Sequence, residues 1–519
     1  MKSAKSQLPV LEGLEPRVLL SGGGMETGIA ALLGRVGGMG RGLPESIHAA
    51  AIPGWNARMG ALERLLGPRQ GMVFGAALPK AGTTTAPKIA IAAAPKVAVA
   101  PPPTPTAGSR VTGVVFTQNG LQQLLVNGTN GSDVITLSAI TGGVTVSWGS
   151  GSQNCMGTFS QILLYAFAGS DTIRLTNTVT APTAIIAGDG NDTVYDAGKG
   201  ADTIYGGNGD DLLISIGGGG DRVYGEAGTD SFWVDGSDTV ADASAAETAA
   251  GNVHRVTQFY QPTRLPAVSL EIAGQNFTDP SLTAYAKGYT NFSSQPLFTA
   301  APTYNDIRQG ALGDCYYVAS LAAIADTNPN AIGQMMTALG DGTYAVRFFR
   351  NGQPVYVRVD GDLPVYSGTS LAYEKMSPTG EIWAPIAEKA YAYFRTGANS
   401  YGSIEGGWMA DVCTQVTNRP TQTMYTTATD PQLYNFMSGA IAGGRAATLG
   451  SRSNASGPIV GSHAYMVKSV QTVSGQMLVT VYNPWGVDGR TYDSNPNDGL
   501  LVLTMAQVRQ YFTAGVAIA

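Results

Sequence analysis

Apolar positions recur with three different rhythms along the chain. Between residues 187 and 233, Val194, Ile204, Leu213, Val223 and Phe232 return every nine or ten positions. Each follows an aspartate by two residues and stands among glycines, a pattern that predicts short stacked strands separated by tight turns. From Val111 to Val179 the apolar residues are β-branched runs of about five, such as Val144–Trp148, broken by Gly, Asn, Ser and Asp; these too predict strands. After Cys315 the rhythm changes to a helical one, with Val318, Leu321, Ala322 and Ala325 on one face. Further on, an alternating run opens at His463, and the apolar strand Met477–Val481 leads into Tyr482-Asn483-Pro484-Trp485-Gly486.

Between these segments the pattern lapses. Residues 1–77 mix Gly, Leu and Arg without sustained periodicity, and a poorly ordered leader is expected there. Residues 78–107 hold seven prolines, three lysines and no acid, a composition that predicts an extended linker. The expected organisation is therefore a leader (1–77), a linker (78–107), a β-rich region (108–245) containing the repeats, a connector (246–289) and a final domain (290–519).

Composition narrows the choices. Glycine supplies 68 of 519 residues and charged residues only 13%, about half the usual share, which excludes a coiled coil. No apolar run approaches the length of a membrane span, so no transmembrane helix is expected. The net charge of −6 is concentrated: residues 187–242 carry twelve acids against two bases. Such a stretch repels nucleic acid and attracts cations.

The aspartates of the repeats, Asp192, Asp202, Asp211, Asp221 and Asp230, are spaced 10, 9, 10 and 9 apart. Carboxylate oxygens and turn carbonyls are the hard ligands that Ca²⁺ takes. The units AGDGNDTVY, AGKGADTIY, GGNGDDLLI, IGGGGDRVY and GEAGTDSFW resemble the nonapeptide of RTX, or hemolysin-type, calcium-binding proteins. That resemblance implies a parallel β-roll with calcium bound at the five aspartates. Gly128–Thr136 and Ala168–Ile173 carry fragments of the same pattern upstream. Near the start, Leu14-Glu15-Pro16-Arg17-Val18-Leu19-Leu20-Ser21 resembles an LEPR-x-LLS element of large extracellular bacterial proteins. Together these imply a secreted or cell-surface protein.

Three cysteines, Cys155, Cys315 and Cys413, are too few for a disulfide framework. Cys155 and Cys413 are expected as buried small residues. Cys315 stands where the loop Gln309-Gly310-Ala311-Leu312-Gly313-Asp314 enters a helix. The positive helix end there favours a thiolate, and Gly310 and Gly313 allow a close backbone approach to a substrate. Gln309 offers an amide to a developing oxyanion. On these residues alone, a nucleophile and a buried structural cysteine stay equally open. His463 and Asn483 add the base and the orienting group of a Cys–His–Asn arrangement. His48 lies in the leader, and His254 is expected at the surface.

QGALGDCYY, SHAYMV and YNPWG, in that order, resemble the active-site motifs of calpain-type cysteine proteases, and Glu381–Ala392 resembles the EFWxxLLEKAYAK helix of that family. The resemblance covers about residues 290–519. It implies an α+β papain-like two-lobed domain, with a Cys lobe at about 290–420 and a His/Asn lobe at about 421–519. It implies a calcium-dependent endopeptidase acting on protein or peptide substrates, with Cys315 as nucleophile, His463 as base and acid, and Asn483 orienting the ring. Gln309 then serves the oxyanion hole and Trp485 shields the His–Asn bond. Tyr316 departs from the family's tryptophan. The resemblance also implies calcium at Asp306 and Glu381, and a second calcium position reduced to Asp498 because Gly489 and Leu500 replace acids. A calcium-binding surface protein with an inactive protease domain is the alternative.

Overall fold

The computed structural model describes residues 105–262, 265–490 and 493–518. The leader, with its LEPR-x-LLS element and His48, and the linker up to residue 104 lie outside these residues.

Residues 112–255 form a β-solenoid of two facing sheets. One coil takes 19 residues, as the parallel pairing of Thr203 with Ala184 and with Arg222 shows. Two nonapeptide-like units therefore make one coil, and successive units feed opposite sheets. Val194, Leu213 and Phe232 line one sheet, Ile204 and Val223 the other, and all five are fully buried. The fragments at 128–136 and 168–173 extend the stack upstream, through the strands Val134–Ile140 and Thr172–Leu175.

Glycine is required where coils touch. Gly207 has φ +123°, and a Cβ there would stand 1.9 Å from the Gly188 carbonyl oxygen, so the turns stack at backbone contact. Antiparallel strands close the first coil (Thr112–Gln118 on Leu121–Asn127; Val134–Ile140 with Gly143–Trp148 and Gly151–Met156). Cys155 is buried there, as expected.

The last coil is closed by helix α1 (Ala245–Ala250), capped by Ser244 and Glu247 in a mutual capping box. Its carboxylate continues the aspartate pattern, accepting the Asp230 N–H at 2.7 Å. The strand Val253–Arg255 then pairs with Ser231–Val234. The solenoid thus runs to Arg255, past the expected boundary at 245. His254, expected at the surface, is fully buried: it stacks on Trp233 at 3.8 Å between ring centres and bonds Gln334 of the following domain at 3.0 Å. Its sequence neighbours, Val253 and Arg255, do not reveal that it lies between two domains. Around it, Ile214, Trp233, Phe259, Leu339 and Tyr356 form a shared apolar core.

The final domain has two lobes. The first centres on α2 (Cys315–Thr327), whose residues 316–325 are all buried. Against it pack α3 (Trp383–Phe394), buried at every position, and α4 (Met409–Thr417), which holds the buried Cys413. Two three-stranded sheets complete the lobe. The second lobe is a six-stranded sheet, in the order 421–425, 512–518, 447–451, 464–473, 476–482 and 500–504. It is covered by α5 (Asp430–Ala442) and α6 (Met505–Tyr511). Among the described residues no helix is long and apolar enough to cross a membrane.

Candidate active site

The lobes meet at the loop before Cys315. The Gln309 N–H donates to the Pro484 carbonyl at 2.8 Å, and the Tyr482 hydroxyl donates to the Ile307 carbonyl at 2.8 Å. Gly310 serves packing here: a Cβ would stand 2.1 Å from the Tyr373 carbonyl oxygen, so its close approach is to the domain's own backbone. Tyr316, in place of a tryptophan, is buried, donates its hydroxyl to Ile404 O at 3.0 Å and lies under the Arg395 guanidinium.

Cys315 is the first residue of α2, and its thiol is reached by the Ala464 N–H, next to His463 in the chain. The hairpin of strands Ala464–Val473 and Gln476–Tyr482 brings His463 and Asn483 together. His463 Nε2 lies 2.9 Å from Asn483 Oδ1. A carboxamide oxygen only accepts, so the neutral ring carries its proton on Nε2 and leaves Nδ1 as a base. The Trp485 ring lies 4.9 Å from the imidazole, and the Trp485 backbone N–H donates to the same Oδ1 at 3.2 Å. This places the tryptophan beside the imidazole.

Two expectations meet a different environment. Burial pushes the Cys315 thiol up to about 11, with Asp314 adding to it and the Ala464 N–H opposing. The helix end was expected to favour thiolate, but desolvation of the charge outweighs it. His463 is pushed down to about 4 by burial, against the Asn483 hydrogen bond. Burial thus favours the uncharged form of each group. Gln309 is likewise engaged: Nε2 donates to Leu312 O at 2.8 Å and to Asp314 Oδ1 at 3.1 Å.

The acids of the domain divide unevenly. Asp306 accepts from the Thr303 N–H at 2.7 Å, from its hydroxyl, and from Trp383 Nε1 at 3.3 Å. Glu381 accepts from Thr299, Ala300 and Ser377; these bonds outweigh the burial that would raise its carboxyl and hold it below the usual range. Both oxygens of each acid are thus occupied by the chain itself. Asp488 differs. It is fully buried, neither oxygen meets a donor among the described residues, and burial, with Asp493 and Asp498 nearby, pushes it up to about 6. It stands next to Gly489, where the resemblance implies that an acid is replaced.

In the solenoid the five aspartates form two ladders. Oδ1 of each accepts the N–H of the corresponding residue one coil back: Asp171 N–H to Asp192 at 2.8 Å, Asp192 to Asp211 at 2.8 Å and Asp211 to Asp230 at 3.0 Å. On the other edge Thr183 donates to Asp202 at 2.6 Å and Asp202 to Asp221 at 2.7 Å. All five are buried. Oδ2 of Asp171, Asp202 and Asp211 has no donor, and burial lifts these carboxyls to about 7, 7 and 8. Asp196, Asp202 and Asp221 bring one carboxylate oxygen each within 4.8 Å of one another. Orphaned, desolvated oxygens converging in this way fit a divalent cation. Asp196 was missed because it follows the repeat's apolar residue instead of preceding it.

The family model described as calpain family cysteine protease matches residues 281–498. These residues are a calpain-family cysteine protease domain. The chain is 30% identical over 226 residues to the calpain-type cysteine protease DEK1 of Zea mays, which spans 40% of this chain and 10% of that protein. It is 28% identical over 230 residues to the calpain-2 catalytic subunit of Gallus gallus, 40% of this chain and 32% of that one. Against the calpain-1 catalytic subunit of Bos taurus it is 29% identical over 214 residues, 38% and 29% of the two chains. The chain thus spans a third or less of these relatives. Cys315, His463 and Asn483 all fall inside the calpain-type segment, whereas the solenoid lies before it.

Proposed function

We propose that the chain is a calcium-dependent cysteine endopeptidase, exported to the cell surface or beyond. The observation that carries this reading is the His463–Asn483 bond beside the start of α2. It orients a neutral imidazole whose free nitrogen is a base, next to a thiol held at a helix N-terminus. In the reaction, His463 Nδ1 takes the Cys315 proton and the sulfur attacks a peptide carbonyl. The Cys315 N–H and a Gln309 amide hydrogen, released from Leu312 or Asp314, stabilise the tetrahedral oxyanion. The imidazolium returns its proton to the departing amine, and water, deprotonated by the same ring, hydrolyses the thioester.

Calcium fits the aspartate ladders of the solenoid; in the protease domain Asp498 already accepts from Asn495 and Leu500 with its two oxygens. Asp306 and Glu381 hold a cation only if they exchange bonds they already make. The RTX-type repeats and the leader element support export.

The burial of His463 and the partial burial of Cys315, which oppose an ion pair, favour a second reading, an inactive protease domain on a calcium-binding surface protein. Peptide turnover by the parent and by Cys315→Ala, each with and without Ca²⁺, separates the two. Calcium-dependent cleavage lost in Cys315→Ala supports the endopeptidase. No cleavage, and no labelling of Cys315 by a thiol-directed epoxide, overturns it.

A further inference from the structure

Where the solenoid meets both protease lobes there is a cavity of about 250 Å³. Its wall is made by the end of α1 with Gly251, the end of α2, Arg347, the end of α4 with Arg419, and the Gly444–Ala446 turn after α5. Three arginines, Arg347, Arg419 and Arg445, line it, and no aspartate or glutamate does.

Arg347 is the telling residue. It is 9% exposed, yet no carboxylate pairs with it among the described residues. Nη1 donates to the Gly251 carbonyl at 3.1 Å and faces His254 Nδ1 at 3.4 Å. Nε has no partner, and the Phe349 ring lies 5.0 Å from the guanidinium. His254 supplies no negative charge, because its Nε2–H is donated to Gln334 and burial, then Arg347, hold it neutral. Arg445 donates to the Gly439 carbonyl at 3.1 Å, again an uncharged acceptor.

The carboxyl ends of four helices point toward this place. Each contributes at most roughly half a negative charge, less for a helix as short as α1. Three full positive charges exceed that sum. Arg347 is removed from water without a charged partner, which is costly, and Arg419, exposed, and Arg445, half-buried, add their charges at the same cavity, where a counter-ion is stabilised.

We propose that this cavity binds a small divalent oxyanion of the phosphate or sulfate type. Its oxygens accept from the forks of Arg419 and Arg445 beside the Arg347 guanidinium, and the bound ion ties the solenoid cap to both protease lobes. A monovalent carboxylate leaves most of the charge uncompensated and binds more weakly.

The test is titration calorimetry on the full chain in saturating Ca²⁺, with chloride holding the ionic strength constant. Sulfate is the probe, since phosphate precipitates calcium. One sulfate per chain is expected, with Arg419→Ala weaker by on the order of tenfold and Arg347→Met showing no binding. Arg347→Met should fold and, without sulfate, melt no lower than the parent, because it removes an uncompensated charge. Acetate should bind at least ~10-fold more weakly than sulfate. Absence of binding, equal binding by acetate, or the same affinity in Arg347→Met, which marks an adventitious ion only, each overturns the proposal.

Discussion

The solenoid and the protease domain both bury acids, and they neutralise them differently. In the protease domain Asp279, Asp360 and Asp362 gather closely enough to resemble a metal site. The fully buried Lys389 fills it: Nζ reaches Asp279 Oδ1 at 2.6 Å, Asp360 Oδ1 at 2.5 Å and the Asp362 carbonyl at 2.7 Å. Arg358 pairs with Asp341 in the same way at 2.7 Å. In the solenoid Asp196, Asp202 and Asp221 make a comparable cluster, and no lysine or arginine reaches it among the described residues. A side-chain ammonium is built into the first cluster, while the second must take its charge from solution. An acidic cluster therefore points to a metal only after its own cations are counted. By that criterion the solenoid cluster is the candidate metal site.

The largest effect separates chemistry from scaffold. Cys315→Ala should lower peptide turnover by on the order of 10³-fold or more, and His463→Ala nearly as much. Asn483→Ala should lose less, since water and packing recover part of the orientation. Calcium uptake by the solenoid, measured by equilibrium dialysis, should be unchanged in all three. Retained turnover in Cys315→Ala breaks the assignment.

Calcium removal comes next. In EGTA, limited proteolysis should cut within residues 187–233 while 281–498 resists, because only the solenoid loses its counter-charges. The double variant Asp202→Ala/Asp211→Ala should lower calcium stoichiometry and leave the chemistry of Cys315 intact. Equal protection of the repeats with and without calcium would break the comparison at its root.

Lys389→Met sharpens it from the other side. Stripping the built-in cation from three acids should cost about 3–5 kcal/mol, read from the urea midpoint of the protease transition, with the solenoid transition unmoved.

The smallest effect is in pH. The carboxyls of Asp171, Asp202 and Asp211 are raised by burial to about 7, 7 and 8. A group whose folded pKa is raised binds more protons in the folded state, so its contribution is fully present below about pH 4 and is lost as pH rises through the folded value. In EGTA the solenoid should melt progressively lower from pH 5 to pH 8. Calcium should abolish or invert that trend. A calcium-free solenoid that gains stability over this range contradicts buried, uncompensated ladders.

Period and local motif determined much by themselves. A nine-to-ten-residue return of Asp-x-apolar is enough to specify coils, because each unit buries its one large side chain only by stacking on the next. QGALGDCYY, SHAYMV and YNPWG named the catalytic candidates because a loop-to-helix junction and a hairpin are local structures. Tertiary structure decided what depends on who stands opposite. Glu247 closes the aspartate ladder from a helix, and His254 lies between domains, which nothing in its local sequence shows. Burial overrides the helix end at Cys315, and Lys389, far along the chain from Asp279, neutralises it. Arg347 is left without an acid for the same reason. Desolvation and charge pairing depend on distance in space, and a linear sequence lists the charges without saying which will meet.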